Sequence, residues 1–232
     1  MDIIIGGGTY GERALAKIRK TDGPVIVIDN DPSCSVQKNY GLPVATLEQI
    51  SDPEERQQEA CFIPGGIAEA AQIVATHRPE RIFPTVPVHV SAGILSELAE
   101  FEPEPAGADE ISERIPERLV VGRNGADIYC SLNPDRLCNP DCPEPPICPV
   151  TGERRDLPLW SLLRNHLSGA VPEGADTHIT VIIQSRQCGP GLGYIRCSDI
   201  FAAMEDICEA DTAWIGTACK CHGVVTALRK KV

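Results

Sequence analysis

The sequence predicts an α/β protein, in which helices cover both faces of a parallel sheet and a cysteine-rich, metal-binding segment precedes a C-terminal α/β portion. Short apolar runs alternate with helical patterns from the N-terminus onwards, and this alternation is typical of a parallel sheet with right-handed crossovers. The 232 residues are enough for one large domain or two small ones. Eleven cysteines are present, and four of them cluster in one proline-rich stretch.

The first half of the chain reads as strand, helix, strand, helix. The near-continuous apolar runs are typical of strands buried on both faces, and apolar residues at i, i+3, i+4 and i+7 indicate helices between them. Strands are predicted at 2–6, 24–29, 60–63 and 81–86, with helices at about 10–20, 66–77 and 90–101.

The second half begins with an acidic, proline-rich stretch, which we interpret as a linker or surface excursion. We therefore divide the chain into a nucleotide-binding domain at 1–100, a linker at 101–117 and a cysteine-rich α/β region at 118–232. Within the last region, strands are predicted at 118–122, 178–185 and 212–218, and helices at 157–167 and 198–208. The basic C-terminal tip is expected to be a solvated tail.

A glycine motif lies between the first strand and the first helix. Gly6, Gly8 and Gly11 form G-x-G-x-x-G, which in this context allows a tight turn, a close approach of a pyrophosphate and close helix–strand packing. The N-terminus of the helix offers free N–H groups to phosphate. The second strand ends at Asp29, whose carboxylate can accept hydrogen bonds from a ribose, so NAD is preferred over NADP. A Rossmann-like fold without a nucleotide is the alternative.

The stretches "MDIIIGGGTYGERALAKIRK" and "PVIVIDNDP" resemble the NAD-binding Rossmann domains of the TrkA N-terminal type. The "GGG" followed by an arginine-containing helix is also similar to the precorrin-2 dehydrogenase of siroheme synthesis. The resemblance covers residues 1–50 and implies a Rossmann-like sheet that binds NAD or a related nucleotide.

The stretch "CSLNPDRLCNPDCPEPPICPV" places Cys130, Cys138, Cys142 and Cys148 close together. Thiolates are the ligands of zinc and of iron–sulfur clusters, and a proline-rich loop gains its order from the ligand that it surrounds. Because Cys-Pro occurs twice and no C-x2-C pair occurs, we favour an iron–sulfur cluster over zinc. A loop of free thiols is the alternative.

A second group of candidate metal ligands follows in the C-terminal region. Because the carboxyl ends of parallel strands face one crevice, we expect thiols that follow strand ends to meet there. The strand-end candidates are Cys188 and the pair in "CKCHG"; Cys197, which begins a helix, completes the set of Cys188, Cys197, Cys219 and Cys221. His222 and His89 are candidate acid–base residues, although a structural role is the alternative for each histidine and simple packing for the cysteines.

The net charge of −12 argues against a nucleic-acid partner, which would need a basic face. No apolar run reaches membrane-spanning length and "MDIIIGGGTYG" does not read as a signal peptide, so no membrane partner is expected and a cytoplasmic protein is. In that reducing compartment, clustered cysteines more often bind metal or do redox chemistry than form disulfides. The composition and motifs favour an iron–sulfur redox or electron-transfer protein that couples NAD to a metal centre, with a protein redox partner or client. A nonenzymatic NAD- and metal-responsive sensor and a metal- or cluster-handling protein remain alternatives. The sequence leaves open whether the chain is a homo-oligomer.

Overall fold

A computed structural model describes residues 1–19, 23–51 and 60–231. The chain forms a mixed α/β fold with two mixed sheets. The helices are α1 (Thr9–Ile18), α2 (Ser35–Tyr40), α3 (Leu47–Ser51), α4 (Ile67–His77), α5 (Val90–Ala99), α6 (Gly107–Arg114), α7 (Leu159–Leu167) and α8 (Cys197–Ile207). The strands are β1 (Asp2–Ile5), β2 (Val25–Asp29), β3 (Ala60–Pro64), β4 (Arg81–Pro84), β5 (Phe101–Pro103), β6 (Val120–Asn124), β7 (Asp127–Ser131), β8 (His178–Gln184), β9 (Arg186–Gly189), β10 (Leu192–Arg196), β11 (Thr212–Ala218) and β12 (His222–Lys230).

The first sheet has the strand order β3-β2-β1-β4-β10-β9. Its first four strands run parallel to one another, whereas β10 and β9 join antiparallel. The expectation of a purely parallel sheet therefore needs correction, because a hairpin from the C-terminal half of the chain completes this sheet. The stretch "GPGLG" at 189–193 lies within that hairpin.

The second sheet has the strand order β6-β7-β12-β11-β8, and β5 also pairs with β12. Only β8 and β11 form a parallel pair among the described strands of this sheet. Two expectations are corrected here. The acidic stretch 101–117 contains β5 and α6, and the basic tip that was expected to be a solvated tail supplies Arg229 and Lys230 to β12.

Helices separate and cover the two sheets. The helices α4, α5 and α8 lie between the two sheets, and their side chains form a central core with one face of each sheet. The helices α1 and α2 cover the other face of the first sheet, and α6 and α7 cover the other face of the second sheet. Alternation along β1 explains this arrangement, because Ile3 and Ile5 face the central core while Ile4 faces the outer one. The cores thus fix the relative position of the loops that connect the sheets.

The predicted inward face of the first helix is confirmed, since its buried residues are Gly11, Ala14, Leu15 and Ile18. The predicted end of this helix at residue 20 lies outside the described residues. In the part of the chain that is described, no helix has both the length and the apolar character needed to cross a membrane.

Candidate functional site

The glycine turn after β1 has three distinct steric environments. Gly6 has a φ of +108°, a conformation that favours glycine. A Cβ added to Gly11 would lie 1.9 Å from the Gly6 carbonyl oxygen, so α1 packs directly on the turn. A Cβ added to Gly8 would meet nothing within 4 Å. The turn therefore needs glycine at the first and third positions for its own packing and leaves open space at the second.

Asp29 lies at the end of β2 and points back at the glycine turn. Its carboxylate accepts hydrogen bonds from the N–H of Gly7 at 2.6 Å and from the N–H of Asp31 at 2.7 Å. Each carboxylate oxygen can accept a further hydrogen bond. Asp29 thus holds the conformation of the turn and keeps acceptor capacity beside it.

A cavity of about 760 Å³ opens beside the first turn of α1. Tyr10, in the first turn of α1, lines one side of it together with the segment after β4, residues 86–89. Most of the remaining described lining comes from the cysteine-rich segment (residues 130–150), the β9–β10 hairpin and the turn between β11 and β12. We call it the thiol cavity because its described lining includes Cys138, Cys142, Cys148, Cys219 and Cys221.

The cysteine-rich segment is held over the cavity by contacts with both halves of the chain. Arg13 of α1 forms an ion pair with Asp141. The carbonyl oxygen of Cys142 accepts hydrogen bonds from Gln187 Nε2 at 2.7 Å and from the N–H of Gly191 at 3.2 Å. The segment therefore connects α1 to the β9–β10 hairpin.

Cys148 lies in a tight turn that surrounds its sulfur with donors. Burial raises its pKa, but hydrogen bonds from the Thr151 side chain, from the N–H groups of Thr151 and Val150 and from Asn133 outweigh that effect and lower the pKa to about 6. Asn133 Nδ2 lies 3.4 Å from the Cys148 sulfur and 3.1 Å from the Cys138 sulfur. One amide group thus brings these two thiols together.

Cys219 and Cys221 occupy the turn between β11 and β12. The sulfur of Cys219 accepts N–H groups from Cys221 and His222, each at 3.4 Å. Burial, and then the negative charge of Glu144, raise the pKa of Cys219 to about 12 and that of Cys221 to about 11. Both are therefore neutral thiols at neutral pH in this arrangement.

The two histidines proposed as acid–base residues lie in different environments. His222 has an exposed side chain that lines the cavity, and partial desolvation by the surrounding chain lowers its pKa against the opposing effect of Glu144. His89 is buried, and its Nδ1 lies 2.6 Å from Thr226 Oγ1 while its Nε2 lies 2.9 Å from Thr217 Oγ1 and from Ser91 Oγ. Burial lowers the pKa of His89 to about 3. These contacts give His89 a connecting role between α5 and the second sheet, with one edge at the cavity.

Three other candidate ligands lie away from the cavity lining. Cys130 is 2% exposed and its side chain belongs to the core beneath α6 and α7. Cys188 packs against the core beneath α1, and Cys197 is buried in the core between the sheets. Neither predicted quartet is therefore brought together as a unit; the structure combines members of both.

Within residues 1–19, 23–51 and 60–231, no three histidine, cysteine, aspartate or glutamate side chains are arranged to hold one metal ion. The expected metal quartet thus has no counterpart as a ready-made ligand group. Sequence reasoning also missed Asn133, Glu144 and Arg155, which all line the cavity. The repeated Asn-Pro-Asp at 133–135 and 139–141 was the available signal for two turns beside the thiols.

The fold and the cavity define a two-sheet α/β protein with a thiol-lined cavity where its N-terminal and C-terminal parts meet. The chain belongs to the AF_1314 family, whose two domain models are described as the N-terminal and C-terminal domains of an uncharacterized protein and match residues 1–90 and 88–231. It is similar to an Archaeoglobus fulgidus protein named "Uncharacterized protein", with 32% identity over 230 residues that cover 99% of this chain and 100% of the relative. No solved structure matches the chain significantly.

Proposed function

We propose that this protein is a cytoplasmic, nucleotide-binding redox or electron-transfer protein, in which NAD binds at the glycine turn and an iron–sulfur centre binds in the thiol cavity. The observation that carries the proposal is the meeting of cysteines from distant parts of the chain in one cavity. Five cysteines from two distant segments line a single cavity, and the same lining includes Tyr10, in the first turn of α1. Zinc is the alternative metal.

The nucleotide assignment is supported by the neighbourhood of the turn. The parallel strand order β3-β2-β1-β4 is compatible with a Rossmann-like fold of the TrkA N-terminal type, and such folds bind nucleotides beyond the carboxyl ends of the strands. The open space at Gly8 leaves room for a pyrophosphate, and Asp29 lies close enough to the turn to receive a ribose hydroxyl. On this proposal NAD would extend from the turn toward the thiol cavity.

The metal assignment is supported by the chemistry of the donors. Cysteine thiolates prefer zinc, copper(I) and iron, and a turn that directs N–H groups at a sulfur stabilises its anionic form.

A nonenzymatic sensor is a second candidate function, and the ion pair between Arg13 and Asp141 favours it. NAD exchanges two electrons as a hydride, whereas an iron–sulfur cluster accepts one, so turnover requires a second electron acceptor for each NADH. A sensor avoids that requirement. In this version the ion pair would link occupancy of the nucleotide turn to the conformation of the cysteine-rich segment.

Anaerobic purification followed by iron, zinc and acid-labile sulfide analysis tests the metal assignment, and oxidation of NADH by ferricyanide tests turnover. A redox protein is expected to contain iron and to convert one NADH to NAD⁺ and H⁺ while reducing two ferricyanide ions. NAD binding without NADH oxidation would contradict the redox protein and support the nonenzymatic sensor. A protein that contains no metal and binds no NAD would contradict both versions.

A further inference from the structure

A chain of hydrogen-bonded polar side chains lies in the core between α5 and the second sheet. Ser91, Thr226 and His89 are 1%, 4% and 9% exposed, and polar groups are costly to bury unless they are hydrogen-bonded. His89 Nδ1 lies 2.6 Å from Thr226 Oγ1, and Thr226 Oγ1 donates to Asp127 Oδ1 at 2.5 Å. One hydroxyl group thus connects the buried imidazole to a carboxylate.

The directions of these hydrogen bonds determine which nitrogen of His89 carries its proton. The Thr226 hydroxyl has a single proton and donates it to Asp127, so it can only accept from Nδ1. Nδ1 is therefore the protonated nitrogen, and Nε2 keeps its lone pair. This lone pair faces the hydroxyls of Thr217 and Ser91, each 2.9 Å away.

The chain of side chains begins at the thiol cavity and ends at a carboxylate away from it. Thr217 and His89 both line the cavity, and Ser91 contacts the Thr217 hydroxyl as well as Nε2. Asp127, which is partly exposed at the start of β7, does not belong to the described lining of the cavity. The cavity end is therefore a hydroxyl in front of a basic nitrogen, and the far end is a proton acceptor.

The segment that carries His89 also contacts the glycine turn. Thr85 Oγ1 donates to the carbonyl oxygen of Gly6 at 2.7 Å, and a Cβ added to Gly6 would lie 2.7 Å from Val86 Cγ1. His89 follows three residues after Val86, as the N-cap of α5. A nucleotide that extends from the turn into the thiol cavity would therefore pass close to this segment.

We propose that Thr217, His89, Thr226 and Asp127 form a proton relay that accepts a proton from a ligand in the thiol cavity. Thr217 takes up the proton of the ligand and passes its own hydroxyl proton to Nε2. Nδ1 passes its proton to Thr226, which passes its own proton to Asp127, so the ring stays neutral. Burial lowers the pKa of His89 to about 3, which opposes a charged ring and favours this coupled shift. When the product has left, the reverse shift delivers the proton to water and restores the starting tautomer.

This inference rests on the proposed function and adds the proton acceptor that the function needs. An acceptor of single electrons cannot take a hydride, so NADH oxidation by such an acceptor follows NADH → NAD⁺ + H⁺ + 2 e⁻. The two electrons leave to two one-electron acceptors, such as ferricyanide ions, and the relay takes up the proton. Thr226 and Asp127 are positioning residues, since they act on the ligand only through His89 and Thr217.

The tautomer of His89 tests the relay without NAD and without metal. In reduced, full-length protein with isotopically labelled histidine, nuclear magnetic resonance should show a proton on Nδ1 of His89, and His89→Gln identifies the signal. Asp127→Asn should move this proton to Nε2, because the new amide can donate to Thr226 and turn the Thr226 hydroxyl toward Nδ1. A wild-type His89 that is protonated at Nε2 would overturn the relay.

Proton exchange distinguishes a relay from a network that only stabilises the fold. The relay carries the ring N–H proton of His89 to Asp127, which is partly exposed, so this proton should exchange with water in spite of its burial. Thr226→Val keeps the shape of the side chain without the hydroxyl and should slow the exchange, whereas Thr226→Ser should restore it. Equal exchange rates in the wild type and Thr226→Val would overturn the relay.

Turnover tests the use of the relay in NADH oxidation by ferricyanide. Thr226→Val and Asp127→Asn should each lower the turnover rate about 100-fold, with unchanged NAD affinity and metal content, and Thr226→Ser should recover most of the rate. The matched control is Thr212→Val, which removes another buried hydroxyl of β11, 2.9 Å from His178 Nδ1. This control should turn over at the wild-type rate.

The outcomes separate this inference from the proposed function. NADH oxidation at the wild-type rate in Thr226→Val and Asp127→Asn would overturn the relay and leave the redox protein. A wild-type protein that does not oxidise NADH but shows the expected tautomer and exchange would overturn the redox function and support the relay as the acid–base group of the cavity. The opposite tautomer in a protein without NADH oxidation would overturn both.

Discussion

Substitutions at Gly8 and Gly11 should separate nucleotide binding from folding. A Cβ on Gly11 would lie 1.9 Å from a backbone oxygen that cannot move without displacing β1 from α1, whereas a Cβ on Gly8 would meet nothing within 4 Å. Gly11→Ala should therefore cost about 3 kcal/mol of unfolding free energy, near the upper end for overpacking. For a chain of this size, each kcal/mol shifts the melting temperature by roughly 2–4 °C, so we expect a fall of about 6–12 °C.

Gly8→Val should weaken NAD binding and leave the stability of the protein nearly unchanged. Gly8 is the N-cap of α1 and its φ of −72° is open to any residue, so the loss of a favourable cap residue should cost only about 0.5–1 kcal/mol. The added side chain would occupy the space proposed for the pyrophosphate. We expect NAD affinity, measured by isothermal titration calorimetry, to fall at least about tenfold, or 1.4 kcal/mol.

The control is Gly122→Val, at an equally open position in β6. It should leave NAD affinity unchanged. If Gly8→Val binds NAD as tightly as the wild type and this control, the turn does not contact the pyrophosphate. If Gly11→Ala melts at the wild-type temperature, the steric argument for the turn is wrong.

Two further predictions concern the cavity and its surroundings. Burial depresses the pKa of His89 from 6.5 to about 3, so between these values only the unfolded chain binds the proton and stability should fall as pH decreases. His89 contributes up to about 1.4 kcal/mol per pH unit to the pH dependence of the unfolding free energy. Between pH 6.5 and 5, the unfolding free energy measured with urea should therefore change less steeply with pH for His89→Gln than for the wild type. An equal pH dependence in both proteins would contradict the buried neutral imidazole. Gly191→Ala would place a Cβ 1.6 Å from the Pro140 carbonyl oxygen, which should displace the cysteine-rich segment and weaken Zn²⁺ binding about tenfold. Gly169→Ala imposes a similar φ, +68° against +67°, without that contact; if both variants bind Zn²⁺ equally well, the contact does not position the segment.

Local patterns predicted the elements whose burial follows a simple period. The apolar spacing of the first helix identified its buried face, and the apolar runs at 2–6 and 24–29 correspond to β1 and β2. In these elements the pattern of burial is written within the element itself, so a short window contains the necessary information.

Elements stabilised by distant partners were misread. Between residues 101 and 117, a few buried residues such as Phe101 and Ile111 are enough to anchor a strand and a helix among acids and prolines. β12 continues into a basic tip because it pairs with β11, β7 and β5 along its length. Neither effect is visible in local composition, since the partners come from other parts of the chain.

The candidate site shows the same division. The cysteine clusters were visible in the sequence, but which of these cysteines line the cavity depends on the direction of each side chain. Cys130 lies in β7, where the alternation of side chains turns its sulfur into the core. Conversely, the hydrogen bonds that connect Asn133 with Cys138 and Cys148 depend on the folded segment, so the sequence alone contained no basis for that grouping.

The central claim is that the glycine turn and the thiol cavity act as one unit, and linkage between their ligands tests it most directly. The Kd of NAD should be measured by calorimetry for the Zn²⁺-loaded and the metal-free, reduced protein. We predict that zinc changes NAD affinity by about 5-fold or more, the lower end of typical coupling between sites, and that NAD changes zinc affinity by the same factor. NAD affinities that are identical with and without zinc would contradict the claim.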